Sequence, residues 1–191
     1  MALKRFPLEA YASLELNQVA FPKHGLVVSQ TPLGEEFTAA APCENGMWVL
    51  ADKSVGVIGS AANATDAPIG IVYTAEKEYD NYHVGLKNFG RKVAGDYPRV
   101  GIMQPGDTVT TNCLQYNDTE FADEKDAAEA SALFEALEDI ENTPIYVVLV
   151  ANSPVPQLTK TKPTAGIYGK VTKFYTVPNG EKGVKYQIIK V

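Results

Sequence analysis

The sequence predicts a mainly β protein: a small β-barrel or sandwich, with one amphipathic helix inserted at about 118–141 and an extended N-terminal arm. Three observations carry that expectation. Short segments rich in β-branched and aromatic residues recur between turn signals over residues 47–116 and 145–191. A single stretch shows helical periodicity. The first 24 residues contain no glycine, and their apolar positions fit neither period.

Each element follows in chain order. Leu3, Phe6, Leu8, Tyr11, Leu14, Leu16, Val19 and Phe21 give the arm an apolar but irregular character. Pro7 suits the opening of a short helix at Leu8, and Pro22 and Gly25 end it. Residues 31–46, rich in Pro, Gly, Ala and Glu, read as a loop or linker. The expected division is therefore an arm and linker over 1–44 and a β-rich domain over 45–191.

After the turn pair Asn45-Gly46, strands are expected at Met47–Ala51, Ser54–Gly59 and Pro68–Thr74. Arg99–Leu114 reads as a hairpin-like unit. Its Pro105-Gly106 supplies the two backbone conformations of a type II turn, and Thr108–Leu114 alternates as a strand. Ala130, Leu133, Phe134, Leu137 and Ile140 form the helical stripe, capped by Asp118 or Asp123 and stopped by Asn142-Thr143-Pro144. Ile145–Val150 is a continuous apolar run, expected to be a strand buried on both faces. Residues 151–165 read as a Pro- and Thr-rich crossing. Ile167–Val177 and Val184–Val191 then form a closing hairpin around Pro178–Gly183.

Composition narrows the function classes. With 191 residues the chain can bury a core without disulfide or metal staples. No apolar run approaches the roughly 20 residues of a spanning helix, and no apolar stretch follows Lys4-Arg5 to make a signal peptide. No membrane partner is expected. The net charge of −6 argues against a nucleic-acid partner, which needs a clustered positive surface. That charge is polarised. Residues 117–141 hold ten acids against Lys125, whereas residues 160–191 hold seven lysines against Glu181. These are two solvated faces, or complementary surfaces that meet between neighbouring copies or on a partner. Cys43 and Cys113 lie far apart without C-x-x-C spacing and read as small core residues, in keeping with assembly in a reducing cytoplasm.

Motifs for chemistry are weak. Val55-Gly-Val-Ile-Gly-Ser lacks the G-x-G-x-x-G spacing of a dinucleotide loop. His24 and His83, the two histidines, sit in a turn and a polar aromatic loop, and with two scattered cysteines they make an improbable zinc set. The acidic run 118–126 lacks the glycine of a calcium loop. Asp107 reads as a turn residue. No catalytic residue, metal ligand or cofactor is assigned, and the chain is read as a non-enzyme. Its ten tyrosines suit either protein interfaces or plain β-sheet.

Three stretches carry a family resemblance: Gly46-Met-Trp-Val-Leu-Ala-Asp with Pro68-Ile-Gly-Ile-Val-Tyr-Thr; Pro98-Arg-Val-Gly-Ile-Met-Gln-Pro-Gly-Asp-Thr-Val-Thr-Thr-Asn; and Gly166-Ile-Tyr-Gly-Lys-Val-Thr-Lys-Phe-Tyr-Thr-Val-Pro-Asn-Gly-Glu-Lys-Gly-Val-Lys-Tyr-Gln-Ile. Over about residues 45–116 and 145–191 the chain resembles structural proteins of tailed bacteriophages, of the capsid decoration (cement) and head-fibre-base type. The acidic helix stands as an insertion relative to that pattern. The resemblance implies a virion protein on the capsid surface, assembled in the host bacterial cytoplasm. Its expected partner is the major capsid protein, with self-association as a trimer or other small oligomer. The arm, through Lys4, Arg5, Phe6, Leu8 and Tyr11, is expected to make the capsid contact rather than to take part in folding. The alternatives are a phage tail or connector subunit, or a small β-barrel carbohydrate-binding module or enzyme. A sugar-binder would need exposed aromatics, whereas Trp48 lies in an apolar strand and is expected to be buried.

Overall fold

The computed structural model describes residues 3–6, 12–14, 19–22, 26–51, 55–57, 68–74, 92–121, 131–176 and 180–190. Among these residues, twelve strands in two sheets and one short helix make up the regular structure. The strands are β1 (Leu3–Arg5), β2 (Val27–Val28), β3 (Trp48–Ala51), β4 (Val55–Val57), β5 (Ile69–Val72), β6 (Val100–Ile102), β7 (Thr108–Thr111), β8 (Gln115–Asn117), β9 (Tyr146–Val150), β10 (Ser153–Thr159), β11 (Tyr168–Thr176) and β12 (Lys182–Lys190). The helix α1 runs over Ser131–Glu138. One sheet has the order β1-β8-β10-β9-β11-β12-β7 and the other β2-β6-β5-β3-β4. The arrangement is sandwich-like rather than a closed barrel.

The core lies where the two sheets face each other. Trp48 from the smaller sheet and Tyr186 from the larger are both fully buried, and their ring centroids lie 6.1 Å apart. The indole Nε1–H donates to the Tyr186 hydroxyl at 3.0 Å, so the two largest buried side chains also satisfy each other's polar groups. Burial raises the Tyr186 phenol's pKa, so the hydroxyl stays neutral. Leu133 and Leu137 of α1 enter this core with no exposure, as the helical stripe predicts. The helix ends before Pro144, with the Thr143 N–H donating to the Asp139 carbonyl. Asp118 lies in a turn and Asp123 outside the described residues, so neither is seen as a cap.

Several expectations change once partners are visible. Pro105-Gly106 does form the expected turn: the Asp107 N–H donates to the Gln104 carbonyl and Gly106 has φ +103°. But β6 pairs with β5 and β2 in the smaller sheet, while β7 pairs with β12 in the larger. The unit is thus a corner between sheets and not a hairpin. The Gly106 N–H bonds the Ile188 carbonyl of β12 at 2.8 Å, which ties the corner to the sheet it is entering.

The Pro- and Thr-rich crossing is itself strand β10. Its ladder with β9 is broken between Ser153 and Gln157, the interval containing Pro154 and Pro156, and resumes at Gln157, Leu158 and Thr159. The prolines lack N–H donors, so they occupy the irregular stretch and the regular pairing starts beyond them. Strand β9 is buried at Tyr146 and Val147 but half-buried from Val148 to Val150, so its burial on both faces holds only for its first part.

The 31–46 segment is a loop in its backbone, as expected, yet it does not link separate bodies. Leu33, Phe37 and Cys43 are buried in a cluster with Val49, Val72, Val100 and Cys113. Residues 1–44 and 45–191 are therefore not separable by packing, since both sides of position 44 contribute to the same core.

Candidate functional site

Lys4, Arg5 and Phe6 are three of the five expected attachment residues. Leu8 and Tyr11 lie outside the described residues. The first three are engaged with the protein's own body. Strand β1 runs antiparallel to β8, with Leu3 opposite Asn117 and Arg5 opposite Gln115. The Phe6 N–H donates to the Leu114 carbonyl at 2.7 Å, and its ring is fully buried, edge-on to Phe134 of the helix at 5.8 Å.

Further along, Ser13 and Asn112 are joined at 2.6 Å, with the Ser13 N–H donating to the Asn112 side-chain oxygen, and the Thr111 hydroxyl donates to the Ser13 carbonyl at 2.6 Å. Isolated bridges join Leu14 to Thr111 and Ala20 to Thr108. The Phe21 ring then abuts Gly101, where any Cβ would strike its tip at 2.3 Å. At its described residues the arm thus runs beside the 108–117 segment. The expectation that the arm takes no part in folding is thereby corrected: a strand ladder and a buried phenylalanine make its described residues part of the protein's own body.

Two ion pairs hold the same strand. Lys4 Nζ lies 2.9 Å from the Asp118 carboxylate, and this hydrogen bond raises the pKa of the exposed ammonium. Arg5 reaches Glu44 at 3.1 Å, where the carboxylate is nearly buried and also accepts from the Ala12 N–H at 3.3 Å. Around this pair lies a cleft of about 500 Å³, with Phe37, Pro42, Met47, Pro154 and Val155 among its walls. It is a partly apolar pocket whose central charges already face each other, and it fits a structural ion pair better than an acid–base couple.

The other candidate groups fall as follows. His24 and His83 lie outside the described residues, as does the end of the glycine-containing stretch after Val57. Asp107 is the expected turn residue: its carboxylate accepts from the Gln104 N–H at 2.7 Å. Cys43 and Cys113 are free thiols in the core. Burial pushes the Cys113 thiol up to about 12 and the Cys43 thiol higher than its ordinary value too. Among the described residues no group of three or more His, Cys, Asp or Glu is placed to hold a metal ion, and no helix is long and apolar enough to cross a membrane. Tyr97 is 59% exposed, whereas Tyr116 and Tyr186 are core residues.

Sequence reasoning found the basic C-terminal end but not how its lysines are arranged on the closing hairpin. Strands β11 and β12 pair with Val171, Val184 and Tyr186 turned into the core. Lys173 stands directly opposite Lys185, and Lys170 opposite Gln187. The lysine excess was visible in the composition, but its gathering on one face was not, because that depends on a register shift in the ladder. Comparison of the chain with protein-family models, curated proteins and solved structures gives no match.

Proposed function

We propose that the chain is a non-enzymatic structural virion protein that binds the outer surface of a bacteriophage capsid and stabilises contacts between major capsid protein subunits. One observation carries this reading. The three segments that resemble capsid decoration proteins are the framework of the sandwich: they supply β3 and β5, β6 and β7 with the corner between them, and the β11–β12 hairpin. The likeness therefore falls on one connected scaffold that spans both sheets. The rest of the reading is physical. A cement protein gains by being a stiff body that binds only the finished lattice, so that mass action on the bound form stabilises the shell. The interlocked Trp48–Tyr186 pair and the clasped arm make such a body.

The test is to add the purified protein to mature capsids lacking it and image the particles by cryo-electron microscopy. Added density at repeating positions of the outer lattice is the expected result. Density confined to the tail or connector would move the protein to those structures, and no cosedimentation with any particle would refute the reading.

A further inference from the structure

The outer face of the β11–β12 hairpin carries an arrangement that local structure alone does not explain. Along a regular strand, Lys170 and Lys173 are an odd number of positions apart and would project from opposite faces. The ladder shifts register between Val171 and Lys173: Val171 pairs with Tyr186, and Lys173 with the adjacent Lys185. This β-bulge inserts Thr172, whose hydroxyl bonds the Lys185 carbonyl at 3.1 Å, and it turns Lys173 onto the face that Lys170 occupies. Lys173 and Lys185 then sit opposite each other, a pairing of like charges that weakens a sheet. Among the described residues no carboxylate forms an ion pair with Lys170, Lys173 or Lys185. Glu181, the acid of the C-terminal segment, instead accepts from Asn112 at 2.8 Å.

The same chain holds a surface of opposite sign. Glu135, Glu138, Asp139 and Glu141 are exposed on and just after α1. Within one copy the two surfaces do not meet. The helix packs through Leu133, Leu137 and Phe134 on the core side of the large sheet, with Phe134 5.8 Å from Phe174, while the lysines project from the other side.

We propose that the bulged lysine face of β11–β12 is a self-association surface, and that its occupant is the acidic helix of a second copy. Charge complementarity selects the occupant, and the separation of the two patches on opposite sides of one sheet makes the contact heterologous, so that it builds a ring or an open chain rather than a two-fold dimer. This stands independently of any capsid.

The test uses the intact chain and two charge-reversal variants, Lys173→Glu with Lys185→Glu, and Glu135→Lys with Glu138→Lys. All four positions are exposed or half-exposed, and an unchanged circular dichroism spectrum checks that each variant folds. Sedimentation velocity of the native protein should show association at low salt that fades as salt is raised, because exposed charges are screened within roughly 10 Å at 0.1 M ionic strength. Each variant alone should associate at least about tenfold more weakly, since attraction becomes repulsion. An equimolar mixture of the two variants should associate again, because each then offers the other a complementary patch. A native protein that remains monomeric at low salt would overturn the proposal. So would a mixture of the two variants that stays dissociated.

Discussion

Truncating Phe6 to alanine should destabilise the free protein by about 3–5 kcal/mol, the range for deleting a fully buried aromatic side chain. The structure supplies the reasons for placing it there. The ring has no exposure, it packs edge-on against Phe134, and its own N–H is bonded to Leu114. Burial of such a ring removes about 150–250 Å² from water, and the edge-on pair adds about 0.5–1.5 kcal/mol beyond that area. Trp48, the single tryptophan, is buried in the same cluster, so its fluorescence reports unfolding of the core that Phe6 helps fill. Urea titrations of the native and Phe6→Ala proteins would then give the difference directly, provided the slope is unchanged. A loss of this size is a large share of a typical domain's total of about 5–15 kcal/mol. A loss below about 1 kcal/mol would mean that the arm adds little to folding, and would return Lys4, Arg5 and Phe6 to the attachment role.

Other perturbations probe the rest of the fold. Tyr186→Phe removes the acceptor of the Trp48 indole N–H in a site without solvent and should cost about 1–3 kcal/mol, read as a lower urea midpoint; an unchanged midpoint would contradict the bond. Leu137→Asp places a carboxylate where the native side chain has no exposure, so thermal melting should fall by many degrees, and an unaffected melting curve would show the helix undocked. Both thiols should resist a disulfide reagent in the native state and react once the protein is unfolded. Their raised values also set a pH dependence. Above the ordinary thiol value of 9.0 the unfolded chain releases these protons while the folded one retains them, so stability falls as pH rises from there toward about 12. A Cys43→Ala/Cys113→Ala variant should show a shallower alkaline decline in melting temperature.

What the sequence determined by itself was local. The strand tendency of Trp48–Ala51 and Ile69–Val72, the turn at Pro105-Gly106, the apolar stripe through Leu133 and Leu137 and the end of the helix before Pro144 depend on residues a few positions apart, whose side chains and backbone preferences act within one segment. Burial of Trp48 was legible for the same reason: it sits in an apolar run that any β fold turns inward. Partnership was not legible. Nothing near Pro105 says that β6 and β7 enter different sheets, because that depends on Val184 and Tyr186 arriving from about 75 residues downstream to pair with β7. The prolines of β10 argued against a strand until β8 and β9 were seen to bracket it at Gln157 and Leu158. The arm lacked a period because its contacts alternate between a ladder with β8, a buried ring at Phe6 and bridges to β7, which no regular spacing can encode. The lysine face depended on one residue of register, since side chains in a strand change faces at every step and Thr172 supplies the extra one. Tertiary structure decided these points because pairing and burial are settled jointly by distant segments, each choosing the partner that leaves the fewest apolar surfaces and backbone groups in the wrong surroundings.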